Sequence, residues 1–353
     1  MPKSPNQKLK LLYLMEILLQ QTDERHPMTV PEMISELARH DVAAERKSIY
    51  NDLESLRTFG LDIVQTKSRT TGYYIGARSF EVPELKLLVD SVQSSKFITH
   101  KKTLALINTF ATGDTDAARS LLADGYIQHN LAYGTGADAF IGSVEYLASA
   151  DVKTTVNNIR AFEDGDKVFL QTIYNFAGAG EQVAFDIFRF DEDGKIAEHW
   201  DNLAALAEPN PSGHTQTDGT MEVTDLDKTE ENRELVKNFL YDVMQGNNFD
   251  KTPDYFDGDA YIQHNSGIAD GVSGLNAALG ALAEQGISMV YDEVHMVLAQ
   301  GNFVLAVSEG TFGGAPTSYY DLWRVENGKI AEHWDVMETI ADQSTWQNQN
   351  GKF

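Results

Sequence analysis

The octapeptide GKIAEHWD stands twice in the chain, at Gly194–Asp201 and Gly328–Asp335, and each copy is preceded by YIQHN, at Tyr126–Asn130 and Tyr261–Asn265. The two motifs recur in the same order, with offsets of 134 and 135 residues. Such self-similarity marks a tandem duplication of a domain of about 110–125 residues. The period is too long for a solenoid repeat, so each copy must bury a core of its own. The first hundred residues have no counterpart in the duplication, and the chain therefore reads as a fusion of unlike parts.

Charge separates the same parts. Residues 1–103 carry 15 Lys+Arg against 13 Asp+Glu, whereas residues 104–353 carry 13 against 40. The acidic repeats would repel a nucleic-acid backbone; the N-terminal part would not. With no cysteine in the chain, disulfides, a thiol nucleophile and cysteine metal ligation are excluded, and a reducing compartment is the natural expectation. The apolar run Leu9–Leu19 is broken by Lys10 and Glu16. It predicts neither a signal peptide nor a membrane span, and the expected location is cytoplasmic, with no membrane partner.

In the N-terminal part, apolar residues Leu9, Leu12, Tyr13, Ile17 and Leu18 recur at helical spacing over Gln7–Gln20. Thr29 can cap a second helix with Pro31 and Glu32 in its first turn. A third starts near Ala43, buries Ile49, Leu53 and Leu56, and stops at Gly60. Leu61–Thr66 and Gly72–Ile75 predict two strands around the basic turn Lys67–Thr71. Three helices followed by a hairpin is the winged helix-turn-helix order. The third helix offers Arg46, Lys47, Ser48, Tyr50, Asn51 and Arg57 on its polar face, with Lys67 and Arg69 at the wing. These residue types suit phosphate and base-edge contacts in a major groove.

Each repeat opens with a helix (Thr103–Thr112; Arg233–Gln245). After YIQHN come a Gly-rich stretch, another helix (Gly142–Ala148; Gly274–Glu284) and four strand-like runs. The runs are Thr154–Phe162, Lys167–Phe176, Val183–Phe190 and Lys195–Asp201, then Ser288–Leu298, Phe303–Thr311, Ser318–Val325 and Lys329–Asp335. Helices followed by an antiparallel meander imply an α+β domain. The last hairpin turns at Asn327-Gly328, a type I′ signal, and through a three-residue loop in the first copy. Period two then puts Arg189, His199 and Asp201 on one face, opposite Asp186, Glu198 and Trp200; the second copy repeats this with Arg324, His333 and Asp335 opposite Asp321, Glu332 and Trp334. Glu208–Glu231, rich in Pro, Gly, Thr and Asp, predicts a flexible linker. No helical i, i+4 histidine pair, phosphate-binding glycine loop or dinucleotide fingerprint is present, so no metal and no cofactor are expected.

Two resemblances attach to these motifs. ERKSIYNDLESLRTFGLDI, GYYIG and VPELKLLVDSVQSSKFIT resemble the winged helix and connecting helix of WYL-type (DeoR-like) bacterial transcription regulators. That likeness implies a recognition helix through Arg46, Lys47, Ser48, Tyr50 and Asn51, although the WYL ligand-sensing domain of that family is not found. YIQHN with FDIFRFDEDGKIAEHWD and YDLWRVENGKIAEHWD resembles the SnoaL-like branch of the nuclear transport factor 2-like superfamily. This implies α+β cones, each a curved antiparallel sheet with helices and a pocket in its mouth; some members are polyketide cyclases or aldol-condensation enzymes that need no metal. The expected architecture is a winged helix-turn-helix at 1–80, a connecting helix at 81–103, cones at 104–207 and 232–345, and a linker at 208–231.

The candidate pocket residues are Tyr126, His129, Asn130, Arg189 and Trp200 in the first cone, and Tyr261, His264, Asn265, Arg324 and Trp334 in the second. Should the cones be catalytic, Asp201 with His199 and Asp335 with His333 are the acid–base candidates. The leading expectation is a regulator that binds double-stranded DNA, with the cones sensing a small ligand, pairing chains into a homodimer, or both. The alternatives are a cofactor-independent cyclase or isomerase with an accessory winged helix, and a dimerisation scaffold.

Overall fold

The structure, a computed structural model, describes residues 10–40, 42–67, 71–76 and 96–353. Arg69 and the part of the expected connecting helix before Lys96 lie outside the described residues. The chain divides into two compact units, Met1–Ser91 and Val92–Phe353.

In the first unit the order is α1 (Lys10–Gln21), β1 (Met28–Thr29), α2 (Val30–Arg39), α3 (Arg46–Phe59), β2 (Ile63–Lys67) and β3 (Thr71–Ile75). Helix α2 begins where a Thr-x-x-Glu box satisfies an orphan donor: the Thr29 N–H donates to Glu32 Oε2 at 2.6 Å. Gly60, in left-handed conformation with φ 115°, ends α3. Antiparallel β1, β3 and β2 lie in that order. Leu14, Leu18, Met33, Leu37, Ile49, Leu53, Leu56 and Ile75 form one core from all three helices and the hairpin. The short strand β1 was not legible in the sequence, because two residues carry no period.

The second unit holds both repeats. In the first, α4 (Lys96–Thr112), α5 (Thr115–Leu121) and α6 (Ala137–Ser149) accompany β4 (Leu122–Gln128), β5 (Thr155–Asp164), β6 (Lys167–Asn175), β7 (Glu181–Phe190) and β8 (Ile196–Ala205). In the second, α7 (Thr229–Phe239), which runs on into a π-helical turn at Leu240–Gln245, α8 (Thr252–Tyr255) and α9 (Gly271–Glu284) accompany β9 (Ile262–Gln263), β10 (Met289–Gln300), β11 (Phe303–Phe312), β12 (Ala315–Glu326) and β13 (Lys329–Thr339). The sheet orders are β4-β8-β7-β6-β5 and β10-β11-β12-β13-β9. Four antiparallel strands are joined in each sheet by a fifth, the YIQHN strand, which pairs parallel to the last one. That strand was not expected, since its pairing is long-range and its apolar content slight.

The hairpin loops are as the turn residues dictate. Asn327 and Gly328 both have positive φ (51° and 72°), and Gly194 closes the longer loop at φ 69°. The register beyond them differs from the expectation. Arg189 pairs with Glu198 but Phe190 with Ile196, and Arg324 pairs with Glu332 but Val325 with Ile330. Ala197 and Ala331 are thus bulged residues, and a bulge moves everything beyond it to the other face. Asp186 comes opposite Asp201, and Asp321 opposite Asp335. The aspartates expected on the far face therefore join the His and Asp, while Arg189 and Arg324 move to the face of Glu and Trp.

The two cones pack sheet against sheet within the one chain. Phe169, Phe185, Ile187 and Trp200 of the first meet Leu305, Val307, Tyr320, Leu322 and Trp334 of the second in a common apolar core. The opposite sheet faces, carrying Leu170, Ala184 and Phe188 in the first cone and Ala306 and Trp323 in the second, turn toward each cone's own helices. The segment expected to be a flexible linker is instead a packed strap. Buried Arg160 donates to the carbonyls of Asp218 (2.8 Å) and Thr220 (3.2 Å), and Gln171 donates to that of Gln216 at 2.8 Å. Its Pro/Gly composition makes an irregular path, not a loose one. The strap that follows β8 reaches the YIQHN strand of the second cone, where Asn210 Nδ2 donates to Gln263 O at 2.6 Å. The tail that follows β13 reaches that of the first, where Asn350 Nδ2 donates to Gln128 O at 2.8 Å. Each cone thus closes over its neighbour.

Candidate functional site

The corrected register builds one polar cluster inside each cone. In the second, His333 Nε2 lies 3.0 Å from Asp321 Oδ1, and His333 Nδ1 lies 3.0 Å from Gln263 Oε1. That Gln oxygen also accepts the N–H groups of His264 and Asn265, each at 2.9 Å. An oxygen already accepting two amides fixes the side-chain flip, so His333 Nδ1 is the donor and Nε2 faces the aspartate. Tyr291 Oη donates to the other Asp321 oxygen at 3.1 Å. Asp335 accepts from Asn265 Nδ2 at 2.7 Å. Burial pushes the Asp335 carboxyl above its usual range; His333 pulls it down and neighbouring Asp321 pushes it up further. The phenols of Tyr261 and Tyr291 are raised well above their ordinary value, by burial first and then by the two aspartates, and so remain proton donors.

The first cone repeats the arrangement with His199 Nε2 at 3.2 Å from Asp186, His199 Nδ1 at 3.0 Å from Gln128 Oε1, and Asn130 donating to Asp201 at 2.9 Å. Tyr174 donates to Asp186 at 3.0 Å. Tyr174 and Tyr291 are not equivalent positions: cross-strand neighbours Val156 and Tyr174 on β5 and β6 correspond to Tyr291 and Gly310 on β10 and β11. The same hydroxyl contact is made from either strand.

The clusters differ in the space before them. Asp321, His333 and Asp335 stand in a cavity of about 400 Å³, together with Tyr261, Asn265, Leu275, Leu279, Leu282, Met289, Trp323 and Met337. Asp186, His199 and Asp201 face one of about 60 Å³, lined by Phe110, Tyr133, Phe140, Leu147, Phe176 and Leu203.

Of the residues expected at the second pocket, Tyr261 and Asn265 line the cavity, as do His333 and Asp335. His264, Arg324 and Trp334 do not. They form a separate network on the sheet face away from the cavity, as do His129, Arg189 and Trp200 in the first cone. There Glu332 Oε1 lies 2.9 Å from His264 Nε2 and Glu332 Oε2 accepts from Arg324 Nε at 2.6 Å, while the His264 ring stacks on Trp334 at 4.6 Å. In the first cone Glu198 holds His129 (2.9 Å) and Arg189 (2.7 Å), and His129 stacks on Trp200 at 4.9 Å. Tyr126 is buried beside Gln128. The Gln–His–Asp–Tyr relay was missed because the bulge was not legible. The signal for it was an aspartate repeated inside apolar runs, FDIF and YDLW.

One ligand atom from each of Asp321, His333 and Asp335, and likewise from Asp186, His199 and Asp201, lies within 4.8 Å of the others. Both nitrogens of each histidine already face oxygen partners, so a cation there would replace the His–Asp contact rather than fill a gap. His214, Asp218 and His264 form a comparable group at the strap, and Glu293, His295 and Glu309 another on the sheet.

On α3 of the first unit, Arg46, Lys47, Tyr50 and Asn51 are exposed, as is Lys67 at the end of β2. Ser48 is bonded by Lys10, which also pairs with Asp52, and Arg57 donates to Ile63 O at 3.0 Å and is paired with Glu54. Among the described residues no helix is long and apolar enough to cross a membrane.

The structure of TsrD from Streptomyces laurentii is similar at 19% identity over 30% of this chain and 86% of that one, with a TM-score of 0.27. An NTF2-like protein of unknown function from Cytophaga hutchinsonii is similar at 19% identity (30% and 89%; TM-score 0.27), and a protein with a cystatin-like fold from Xanthomonas campestris at 23% (32% and 93%; TM-score 0.27). No curated protein matches the chain. The SnoaL-like domain family matches residues 104–199 and again 236–333; with both cones matched over more than half its length, the chain belongs to the SnoaL-like family.

Proposed function

We propose that the second cone is the working site of a cofactor-independent acid–base reaction on a small carbonyl compound, a cyclisation or isomerisation of the kind the resemblance implies. The observation that carries this reading is a buried carboxyl of raised pKa, Asp335, in the wall of an open apolar cavity. In the reaction the Asp335 carboxylate takes a proton from the carbon next to the carbonyl. The electron pair of that C–H bond moves to the carbonyl oxygen, where Tyr261 Oη or Asn265 Nδ2 can donate a hydrogen bond. Returning the proton to a different carbon completes an isomerisation. Alternatively the enolate carbon attacks a second carbonyl, whose π electrons move to its oxygen, and the proton held by Asp335 passes to that alkoxide, closing the ring and restoring the carboxylate. The His333–Asp321–Tyr291 relay holds the cavity wall and keeps a second carboxylate beside the base.

The test is hydrogen–deuterium exchange at the carbon next to the carbonyl of β-tetralone, followed by NMR with the full chain. Exchange above the buffer rate is expected, with Asp335→Asn lowering it by roughly 10²-fold or more. Exchange equal to buffer with wild-type protein removes the enzyme reading.

A second reading concerns the first unit and is favoured by one observation: Arg46, Lys47, Tyr50 and Asn51 stand exposed along one helix that is followed by a hairpin. Read as a winged helix-turn-helix, the first unit would make the chain a DNA-binding regulator, in which the cones would report ligand occupancy and a pair of chains would meet a symmetric operator. Anisotropy on the DNA upstream of its own gene, in a salt series, tests it. Arg46→Ala with Asn51→Ala should weaken binding by on the order of 2–5 kcal/mol. Equal binding to scrambled DNA would remove sequence-specific regulation.

A further inference from the structure

The two cones are near copies in their polar clusters and unlike in their cavities, and named residues account for the difference. In the first cone four rings occupy the cone interior: Phe110 lies 4.9 Å from Phe140, 5.8 Å from Phe176 and 6.5 Å from Tyr174, and Tyr174 stacks on Phe176 at 4.8 Å. Helix α6 buries Phe140, Ile141 and Val144 against them. What is left, about 60 Å³, has room for roughly two waters.

In the second cone the position of Tyr174 is Gly310; the tyrosine that reaches the aspartate there is Tyr291 of β10, and Phe312 of β11 lines the cavity without closing it. The helix over the cavity, α9, has only Gly271 fully buried among its residues. Its apolar face of Leu275, Leu279 and Leu282 is half-buried and lines the cavity. An apolar helix face that meets a 400 Å³ space in place of a packed core is completed by a ligand. Met244, Met289 and Met337 add adaptable surface to the same wall. Among the described residues no lysine or arginine lines this cavity, while Asp321 and Asp335 do. An anion entering it would lose its hydration and meet two carboxyl groups, and the basic side chain in the lining, His333, is already held between Asp321 and Gln263.

We propose that the chain is a one-site pseudodimer: the second cone binds a single uncharged or cationic apolar ligand, and the first, filled by its own side chains, serves as its fixed packing partner. This rests on the ligand-pocket part of the functional reading above but not on catalysis.

Isothermal titration of the full chain with three compounds of one scaffold tests it: β-tetralone, tetralin-β-carboxylate and β-aminotetralin. One β-tetralone per chain is expected, with β-aminotetralin equal or tighter and the carboxylate at least about ten-fold weaker. Leu282→Trp, which fills the second cavity from α9, should abolish binding. Leu147→Trp, which fills the first, should leave stoichiometry and affinity unchanged. Two sites per chain, carboxylate binding as tight as the ketone, loss of binding in Leu147→Trp but not in Leu282→Trp, or no ketone binding at millimolar concentration would each overturn the proposal. Binding without proton exchange would leave it standing and remove only the enzyme reading.

Discussion

Glu332 and Asp335 lie three residues apart on β13, both out of water, and the fold drives them in opposite directions. For Glu332, burial works to raise the carboxyl, yet hydrogen bonds from His264, Arg324 and Thr220 outweigh it and hold the value at about 2. For Asp335, burial prevails and raises it. The consequences for stability are opposite in sign. The Glu332 contribution is present above its unfolded value near 4.5 and is lost as pH falls toward about 2. A carboxyl whose folded value is raised favours the fold only below its unfolded value, and that advantage is lost as pH rises through the raised one. Glu332→Gln is therefore expected to cost roughly 3 kcal/mol at pH 7 in urea unfolding, with the gap to wild type closing toward pH 3. Asp335→Asn should be neutral or stabilising at pH 8, even as it lowers proton exchange; a large loss of stability there would mean the carboxylate is required by the fold. At this scale the sequence showed Asp201, His199, Asp335 and His333, because EHWD is repeated. It did not show Gln128, Gln263, Tyr174 or Tyr291, whose roles depend on contacts across strands.

At the scale of elements, helix caps and turns were legible because they are local: Thr29 with Glu32, Gly60, and Asn327-Gly328 all act within a few residues. The bulges at Ala197 and Ala331 were not, since alanine carries no bulge signal and the extra residue is defined only by its partner strand. The strap shows the same limit. Its composition suggested looseness, but buried Arg160 gathers its carbonyls and stacks over Trp334 at 4.3 Å. Burial lowers the Arg160 guanidinium to about 10, with Glu332 and Asp218 opposing, so it is still charged at neutral pH. Arg160→Met should lose about 2–4 kcal/mol and open residues 208–220 to proteolysis. A strap that stays protected in the variant would show that Arg160 is not what holds it.

For the whole molecule, the duplication does what two subunits would otherwise do. The sheet faces of the cones form one apolar core, and each cone's trailing segment is exchanged onto its neighbour. Separated as residues 96–207, the first cone would expose Phe169, Phe185, Ile187 and Trp200 together. It is expected to self-associate in size-exclusion chromatography with light scattering, the two copies replacing the missing second cone. A stable monomer would mean the shared core is dispensable. The duplication, the helices and main strands, the charge division and the principal acid–base candidates were determined by the sequence by itself, because periodicity, capping and repetition are written in neighbouring residues. Which face each aspartate occupies, which cone keeps an open cavity and where the strap and tail attach were decided only by the tertiary structure. A single bulge inverts the alternation beyond it, and a cavity is whatever space remains after distant side chains have packed.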